Sequence, residues 1–309
     1  MDAALHDVAV HFPGGARALD GVSLALPAGV VTGLVGESGS GKTTLCRVLM
    51  GLQPPTSGRV TVGGEDLGAV LRRDSRGYRR QAQMLLQDAA GSLSPRMTVR
   101  RLLAEPAIIH GLPRAEAWAR TLAMLDRLGL STDVLDKYPH QISGGQARRV
   151  AVTRALVLQP ELLVADEPTA GLDVSVQGEL LNLLGGLQRE LRLTYLVSSH
   201  NLPVIRRITS NMAVMYLGQV VEAGETARLF AAPAHPYTAA LLSTAPSLDP
   251  SRRQARIALQ GDPPSVLNPP SGCRFHTRCP QAQPRCSAEM PELRSVNGRD
   301  VRCHFPLTG

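Results

Sequence analysis

VVTGLVGESGSGKTTLCRVLM, residues 30 to 50, is an apolar strand pattern that runs into a glycine-rich turn and then into a helix pattern. A strand ending in such a turn at the head of a helix is the context that a phosphate-binding loop requires. In GESGSGKTT (36–44), Gly36, Gly39 and Gly41 let backbone N–H groups curl around phosphate oxygens, and Glu37, Ser38, Ser40 and Thr44 complete the loop. The helix N-terminus adds its positive dipole end, Lys42 can reach the β- and γ-phosphates, and the Thr43 hydroxyl can ligate Mg2+. Lys42 is one of two lysines in the chain, the other being Lys137. The loop by itself does not tell ATP from GTP.

Two further stretches supply what the loop lacks. LLVADEP (162–168) delivers consecutive carboxylates at the end of an apolar strand, the edge where open parallel sheets place their ligands. Asp166 is placed to hold Mg2+ through water and Glu167 to polarise an attacking water. ISGGQ (142–146) puts Ser143, Gly144, Gly145 and Gln146 at the start of the helical QARRVAVTRALVL, a second anion-binding helix terminus. A second such site needs a second phosphate to bind.

Around these motifs, short apolar runs at 30–36, 83–87, 161–166, 194–199 and 211–218 read as strands, most of them apolar enough to be buried on both faces. Between about residues 97 and 158 the pattern turns helical, and Trp118, Leu122, Leu125 and Leu128 are spaced for one buried face. The expected fold class is α/β. Of the 23 prolines, 12 fall within residues 231–309, which marks a boundary near residue 231. At 309 residues, 43% hydrophobic and a net charge of +7, the chain has the composition of a globular protein. Its arginines are scattered, whereas a nucleic-acid footprint gathers them on one face. No run of about 18 or more apolar residues occurs, and MDAALHDVAV has neither the basic start nor the apolar core of a signal peptide. The chain is therefore expected to stay in the cytoplasm and to meet a membrane only through a partner.

The ordered set GESGSGKTT, the glutamine in LLQDAAGSLSPRMTV, ISGGQ, LLVADEP, AGLDVSVQ and SSH resembles the nucleotide-binding subunit of an ABC transporter over residues 1–230. The resemblance implies a P-loop NTPase fold of ABC type: a RecA-like core, an antiparallel β part and a helical subdomain at about 97–158. It also implies a head-to-tail dimer with two ATP at the interface, each held by one subunit's phosphate loop and the other's SGGQ. Carried over by position, Lys42 and the loop cradle the phosphates, while Thr43, Gln87 and Asp166 organise Mg2+ and water. Glu167 is then the catalytic base, His200 contacts the γ-phosphate, Ser143 and Gly145 reach the partner's ATP, and Asp173 links the two sites. Phe12, in a glycine-rich loop, is the candidate for stacking on adenine, with core filler as the other reading. Cys46 reads as core.

The C-terminal part, 231–309, narrows the resemblance. PAHPYTAALLSTAPSLDP (233–250) and GDPPSVLNPPSGCRFHTRCPQAQPRC (261–286) are similar to the tails of ATPase subunits from bacterial oligopeptide, dipeptide and nickel importers. That implies a second, usually different ATPase subunit, two membrane permeases, an extracellular binding protein and a peripheral place on the cytoplasmic face of the membrane. The segment from Gln87 to Arg96 is the expected point of contact with a permease. Import of peptides is the leading reading, with nickel or a metal chelate as the alternative. A cytosolic ABC ATPase acting on nucleic acid is the reading from another class; such proteins usually carry coiled-coil arms or two fused ATPase domains, and neither is visible here.

Cys273, Cys279, Cys286 and Cys303 are spaced C-x5-C-x6-C-x16-C. Disulfides are disfavoured in the cytosol, and zinc sites usually begin with cysteines two to four residues apart. Four thiolates can hold a 4Fe-4S cluster, whose ligand spacings vary, and the resemblance points the same way. Zinc, with His276 or His304, and unliganded thiols remain the alternatives.

Overall fold

The computed structural model describes residues 1–88, 91–169, 174–244, 257–259 and 261–307. Two sheets carry the architecture. The strands are β1 (Ala3–His11), β2 (Arg17–Leu26), β3 (Val31–Val35), β4 (Ser57–Val62), β5 (Glu65–Asp66), β6 (Ala82–Leu85), β7 (Leu162–Asp166), β8 (Thr194–Ser198), β9 (Asn211–Tyr216), β10 (Gln219–Glu225), β11 (Arg294–Val296) and β12 (Arg299–Val301). A four-stranded sheet has the order β2-β1-β4-β5, with antiparallel pairing throughout. The larger sheet runs β11-β12-β10-β9-β3-β8-β7-β6. Its members from β9 to β6 are parallel, and the β9-β10-β12-β11 end is antiparallel.

The helices are α1 (Lys42–Leu49), α2 (Leu67–Gln81), α3 (Val99–His110), α4 (Arg114–Arg127), α5 (Gly144–Leu156), α6 (Val174–Leu191), α7 (Leu202–Ile208), α8 (Thr226–Ala231), α9 (Pro236–Ser243) and α10 (Pro284–Ala288). The five apolar runs read as strands from sequence all lie in the parallel part, and the reason is visible in the packing. Side chains alternate along β7, so that Leu163 and Ala165 enter the core on one side of the sheet while Leu162 and Val164 enter the core on the other. β8 divides likewise, with Tyr195 and Val197 against Leu196, and β9 with Met212, Val214 and Tyr216 against Ala213 and Met215. A strand buried on both faces has to be apolar throughout, which is why these segments lack polar alternation.

Residues 99–156 form the helical part, and α3, α5 and the turn at Val134–Leu135 enclose a small core of their own. In α4, however, the expected face is rotated. Leu125 and Leu128 are buried, but Leu122 is 36% exposed, and Ala117, Thr121 and Met124 take the inner positions. The Thr121 hydroxyl donates to the Ala117 carbonyl at 2.8 Å, so its burial leaves no polar group unpaired. Trp118 lies at the edge of that small core, with the Arg100 guanidinium 5.1 Å above its ring. Among the described residues, no helix is long and apolar enough to cross a membrane.

The C-terminal segment is woven into this body. β12 pairs with β10, Val301 opposite Glu222, and extends the larger sheet. Glu222 is fully buried and accepts hydrogen bonds from the backbone N–H groups of Ala234 (2.8 Å) and His235 (2.9 Å), with Arg299 Nε at 3.8 Å. Burial pushes the Glu222 carboxyl above the usual carboxylate range, and the two N–H donors work against that rise. Glu222→Ala orphans two buried N–H groups and removes the carboxylate beside Arg299, and is expected to cost about 3–5 kcal/mol in chemical denaturation. Leu122→Ala, at an exposed helix edge, is expected to cost under about 1 kcal/mol in the same measurement.

Candidate functional site

β3 ends at Val35, and the chain turns through residues 36–41 into α1. The turn needs glycine where it has glycine. Gly41, the residue capping α1, has φ of 102°, and a Cβ there would meet the Ala18 carbonyl oxygen; at Gly36 it would meet the carbonyl oxygen of Met215 on β9. Lys42 is 6% exposed, and its Nζ donates to the carbonyls of Gly36 (2.8 Å) and Glu37 (3.0 Å), so the ammonium sits inside the loop it serves. Burial lowers its pKa, and the nearby Glu167 and Asp166 act against the drop.

The parallel sheet brings the remaining chemistry to the same edge. Ser38, Gly39, Ser40, Gly41, Lys42, Thr43 and Thr44 line one open pocket together with Gln87, from the segment after β6, and Glu167, just past β7. Asp166 is buried at the end of β7, where Ser198 is its register partner on β8. The Ser198 Oγ donates to Asp166 Oδ1 at 2.6 Å and accepts from the Glu167 N–H at 2.9 Å. Glu167 has φ of 47°, a left-handed backbone that a non-glycine residue adopts only when its surroundings hold it there. Ser198 is part of that hold, through its hydroxyl and its carbonyl, the latter 3.2 Å from the same N–H. His200 is 69% exposed and so is no core histidine; its Nδ1 lies 3.3 Å from Glu167 Oε2.

Ser143, Gly144, Gly145 and Gln146 do not join this pocket. They open α5 in a capping box, Ser143 Oγ accepting from the Gln146 N–H at 3.2 Å and Gln146 Oε1 from the Ser143 N–H at 3.0 Å. Ser143 and Gly144, at the helix start, are exposed. Phe12 is 37% exposed in a tight turn at 12–16 and is not among the pocket's lining residues, whereas Ala18 and Val266 are. Val266 comes from the C-terminal segment, its carbonyl accepting from the Arg17 N–H at 3.1 Å. Asp173 lies outside the described residues. Cys46 is fully buried in the core, as read from sequence.

The sequence of the ABC transporter family matches residues 19–170, and that of the oligopeptide/dipeptide transporter C-terminal region matches residues 221–286. The di/tripeptide transport ATP-binding protein DppF of Pseudomonas aeruginosa is 45% identical over 93% of this chain and 90% of its own length. The chain belongs to the ATP-binding subunits of ABC transporters. Another relative, the putative oligopeptide transport ATP-binding protein YkfD of Bacillus subtilis, is 46% identical over 96% of this chain and 93% of its own. Among solved structures, cbiO1 of Clostridium perfringens, part of the ABC transporter complex cbiONQ, superposes with a TM-score of 0.68 at 30% identity, covering 74% of this chain and 90% of that one. The ATP-binding cassette MJ0796, solved as a dimer bound to ADP and Pi, gives a TM-score of 0.66 at 27% identity over 72% and 98% of the two chains. The fold is thus that of an ABC ATPase, and ATP with Mg2+ suits the pocket that this subunit presents.

The four C-terminal cysteines also come together. Cys273, Cys279, Cys286 and Cys303 line one small cavity with His235, Phe275, His276 and His304. Burial pushes the Cys303 thiol up to about 11 and raises those of Cys273 and Cys279. Among the described residues, no three His, Cys, Asp or Glu side chains converge closely enough to hold a metal ion.

Ser198 was not singled out in the sequence, although SSH contains it. Its two hydrogen bonds aim Asp166 and fix the backbone of Glu167 without touching the phosphate loop. Ser198→Ala is therefore expected to lower ATP turnover on the order of tenfold, about 1.4 kcal/mol of barrier, while the Kd for ATP changes little. Steady-state hydrolysis and equilibrium binding on the same preparation check this split.

Proposed function

We propose that this chain is the ATP-hydrolysing subunit of a membrane importer for di- or oligopeptides. The observation that carries the reading is its likeness, over more than nine-tenths of its length, to ATP-binding proteins named for di/tripeptide and oligopeptide transport. In this reading residues 1–230 are the nucleotide-binding unit, with 97–158 as its helical subdomain, and 231–309 are the importer-type extension.

The backbone of 36–43 and Lys42 take the phosphates. Mg2+, arriving with ATP, would be held by Thr43 and, through water, by Gln87 and Asp166, and would neutralise charge on the phosphates. Glu167, held close to the loop by the β7–β8 pairing, accepts a proton from the attacking water. His200, within reach of Glu167, faces the γ-phosphate. Ala18 and Val266 supply apolar surface for the base, and Phe12, outside the pocket lining, is the proposed stacking partner for adenine. The exposed Ser143 and Gly144 at the start of α5 suit the ATP of a second ATPase subunit, a different chain in importers of this kind, packed head to tail. Asp173 is the proposed link between the two sites.

A cleft of about 240 Å3 between β6, α3 and α5 is the proposed seat for a permease. Leu86 and Ile109 line it and are 47% and 53% exposed, and it borders the segment from Gln87 to Arg96. Two permeases fed by an extracellular binding protein would place this subunit peripherally on the cytoplasmic face of the membrane. ATP binding closes the dimer and hydrolysis reopens it. Glu167→Gln is expected to bind ATP, lose turnover by a factor of about 1,000 and accumulate as a closed dimer in size-exclusion chromatography. Normal turnover in that variant would remove Glu167 from the mechanism.

We also propose that the cysteine cavity is the seat of a 4Fe-4S cluster on Cys273, Cys279, Cys286 and Cys303. The support is the donor set: four thiols round one cavity, none of them spent on a disulfide. Among the described residues the thiols are not gathered closely enough to hold a metal ion, so a cluster, or the alternative of zinc with His276 or His304, would have to draw them in. A cluster spreads its ligands over four irons, and its bonds would crosslink a proline-rich segment. Anaerobic purification is expected to give a brown protein with about four iron and four sulfide per chain. A colourless protein without iron would overturn the assignment.

A further inference from the structure

The second residue of the phosphate loop is an acid. It does not line the pocket itself, but it directly precedes Ser38, which does, and so brings negative charge close to where a polyphosphate would sit. Glu37 is nevertheless there, and the structure shows what balances it. Arg278, from the C-terminal segment and 241 residues further on, donates from Nη1 to Glu37 Oε2 at 2.8 Å and from Nη2 to Oε1 at 3.2 Å. The two parallel bonds form a bidentate pair, and the arginine side chain is only 8% exposed.

The same segment holds Glu37 by its backbone. The Glu37 N–H donates to Tyr237 Oη at 3.0 Å, and the Glu37 carbonyl accepts from Lys42 at 3.0 Å. Tyr237 is wedged between Tyr216 and Phe275, ring centroids at 4.7 and 5.3 Å, and Arg278 lies over Tyr216 at 5.9 Å. The Glu37 carbonyl also accepts from the Ser40 N–H at 3.2 Å, so two of the four partners of Glu37 among the described residues, Arg278 and Tyr237, come from beyond residue 231.

We infer that Arg278 is a positioning residue of the nucleotide site: it neutralises Glu37 from outside the ATPase core and so sets the affinity for ATP. It does not touch the nucleotide. Its effect passes through one carboxylate, and this separates the inference from a general role in packing the tail. The inference rests on the phosphate loop being the seat of ATP.

The test is the Kd for Mg·ATP of the full-length protein, measured for wild type, Arg278→Gln, Glu37→Gln and the double variant. Arg278→Gln is expected to weaken binding on the order of tenfold, the equivalent of about 1.4 kcal/mol. In the double variant no carboxylate is left uncompensated, and binding is expected to return to within about threefold of Glu37→Gln, the signature of pairwise coupling. A double variant as weak as Arg278→Gln, or an Arg278→Gln protein that binds like wild type, overturns the inference. If Arg278→Gln does not fold, Arg278→Lys takes its place: it keeps the charge, loses the fork, and is expected to stay within about threefold of wild type. A tenfold loss there would show geometry rather than charge to be in control, and would overturn the inference as well. Lys42→Ala separates the two layers of the argument. If it abolishes binding, the seat stands whatever Arg278 does; if it does not, the seat itself is wrong.

Discussion

Three parallel strands ending at one edge are the constraint on which the site depends. β3 and β7 flank β8 in register, and each is buried on both faces, so none can tilt or slide without moving apolar side chains into a neighbour's space. Fixed in this way, they deliver the phosphate loop, the Asp166–Glu167 pair and the Ser198–His200 segment to the same side of the sheet, where parallel sheets bind their ligands. The short Ser198–Asp166 bond is a direct result of that register, because the two residues face each other across the pair. A shift of one residue would turn Ser198 to the other face and leave a buried carboxylate without its donor.

How much of this could be read from sequence follows the same physics. The parallel strands were legible because burial on both faces leaves an uninterrupted apolar run, and the phosphate loop because its glycines answer local backbone demands that no other residue meets. The face of α4 was misread at Leu122, since spacing alone does not say how far round a helix its neighbours reach; α3 and α5 both pack on α4, and Thr121 can enter by satisfying its own hydroxyl. Ser198 was hidden because a serine at a strand end has no distinguishing pattern. Val266 and Arg278 were hidden for a different reason. Their contacts with Arg17 and Glu37 join residues more than two hundred positions apart, and no local pattern carries such information.

The arginines show the same limit. As a composition they look like scatter, and for the body of the chain nothing more is needed. In the C-terminal segment they are fastenings. Arg274 is 3% exposed and reaches Asp20 and the Leu217 carbonyl. Arg299 reaches Glu222 and the Ala232 carbonyl. Arg302 donates to the carbonyls of Val220, Gly21 and Pro291 at 3.0–3.3 Å. Each guanidinium offers five donors in a rigid plane, so one side chain can reach several carbonyls or carboxylates at once, although the Nε of Arg274, Arg278 and Arg299 is buried without a hydrogen-bond partner among the described residues. A chain that uses lysine at only two positions has this chemistry available wherever a loop has to be tied down.

These fastenings bear on what the extension is. A proline-rich segment of this length cannot bury enough apolar surface to fold by itself, and a crosslinking cluster would be one remedy. The structure contains another: β12 borrows its pairing from β10, Phe275 enters the core of the ATPase, and four arginines find their partners on residues that precede the extension or on its junction with them. The extension is thus folded on a surface that must already exist. A group bound in its cysteine cavity would stabilise an arrangement whose other half is the nucleotide-binding unit, because Cys279 directly follows the arginine that holds Glu37.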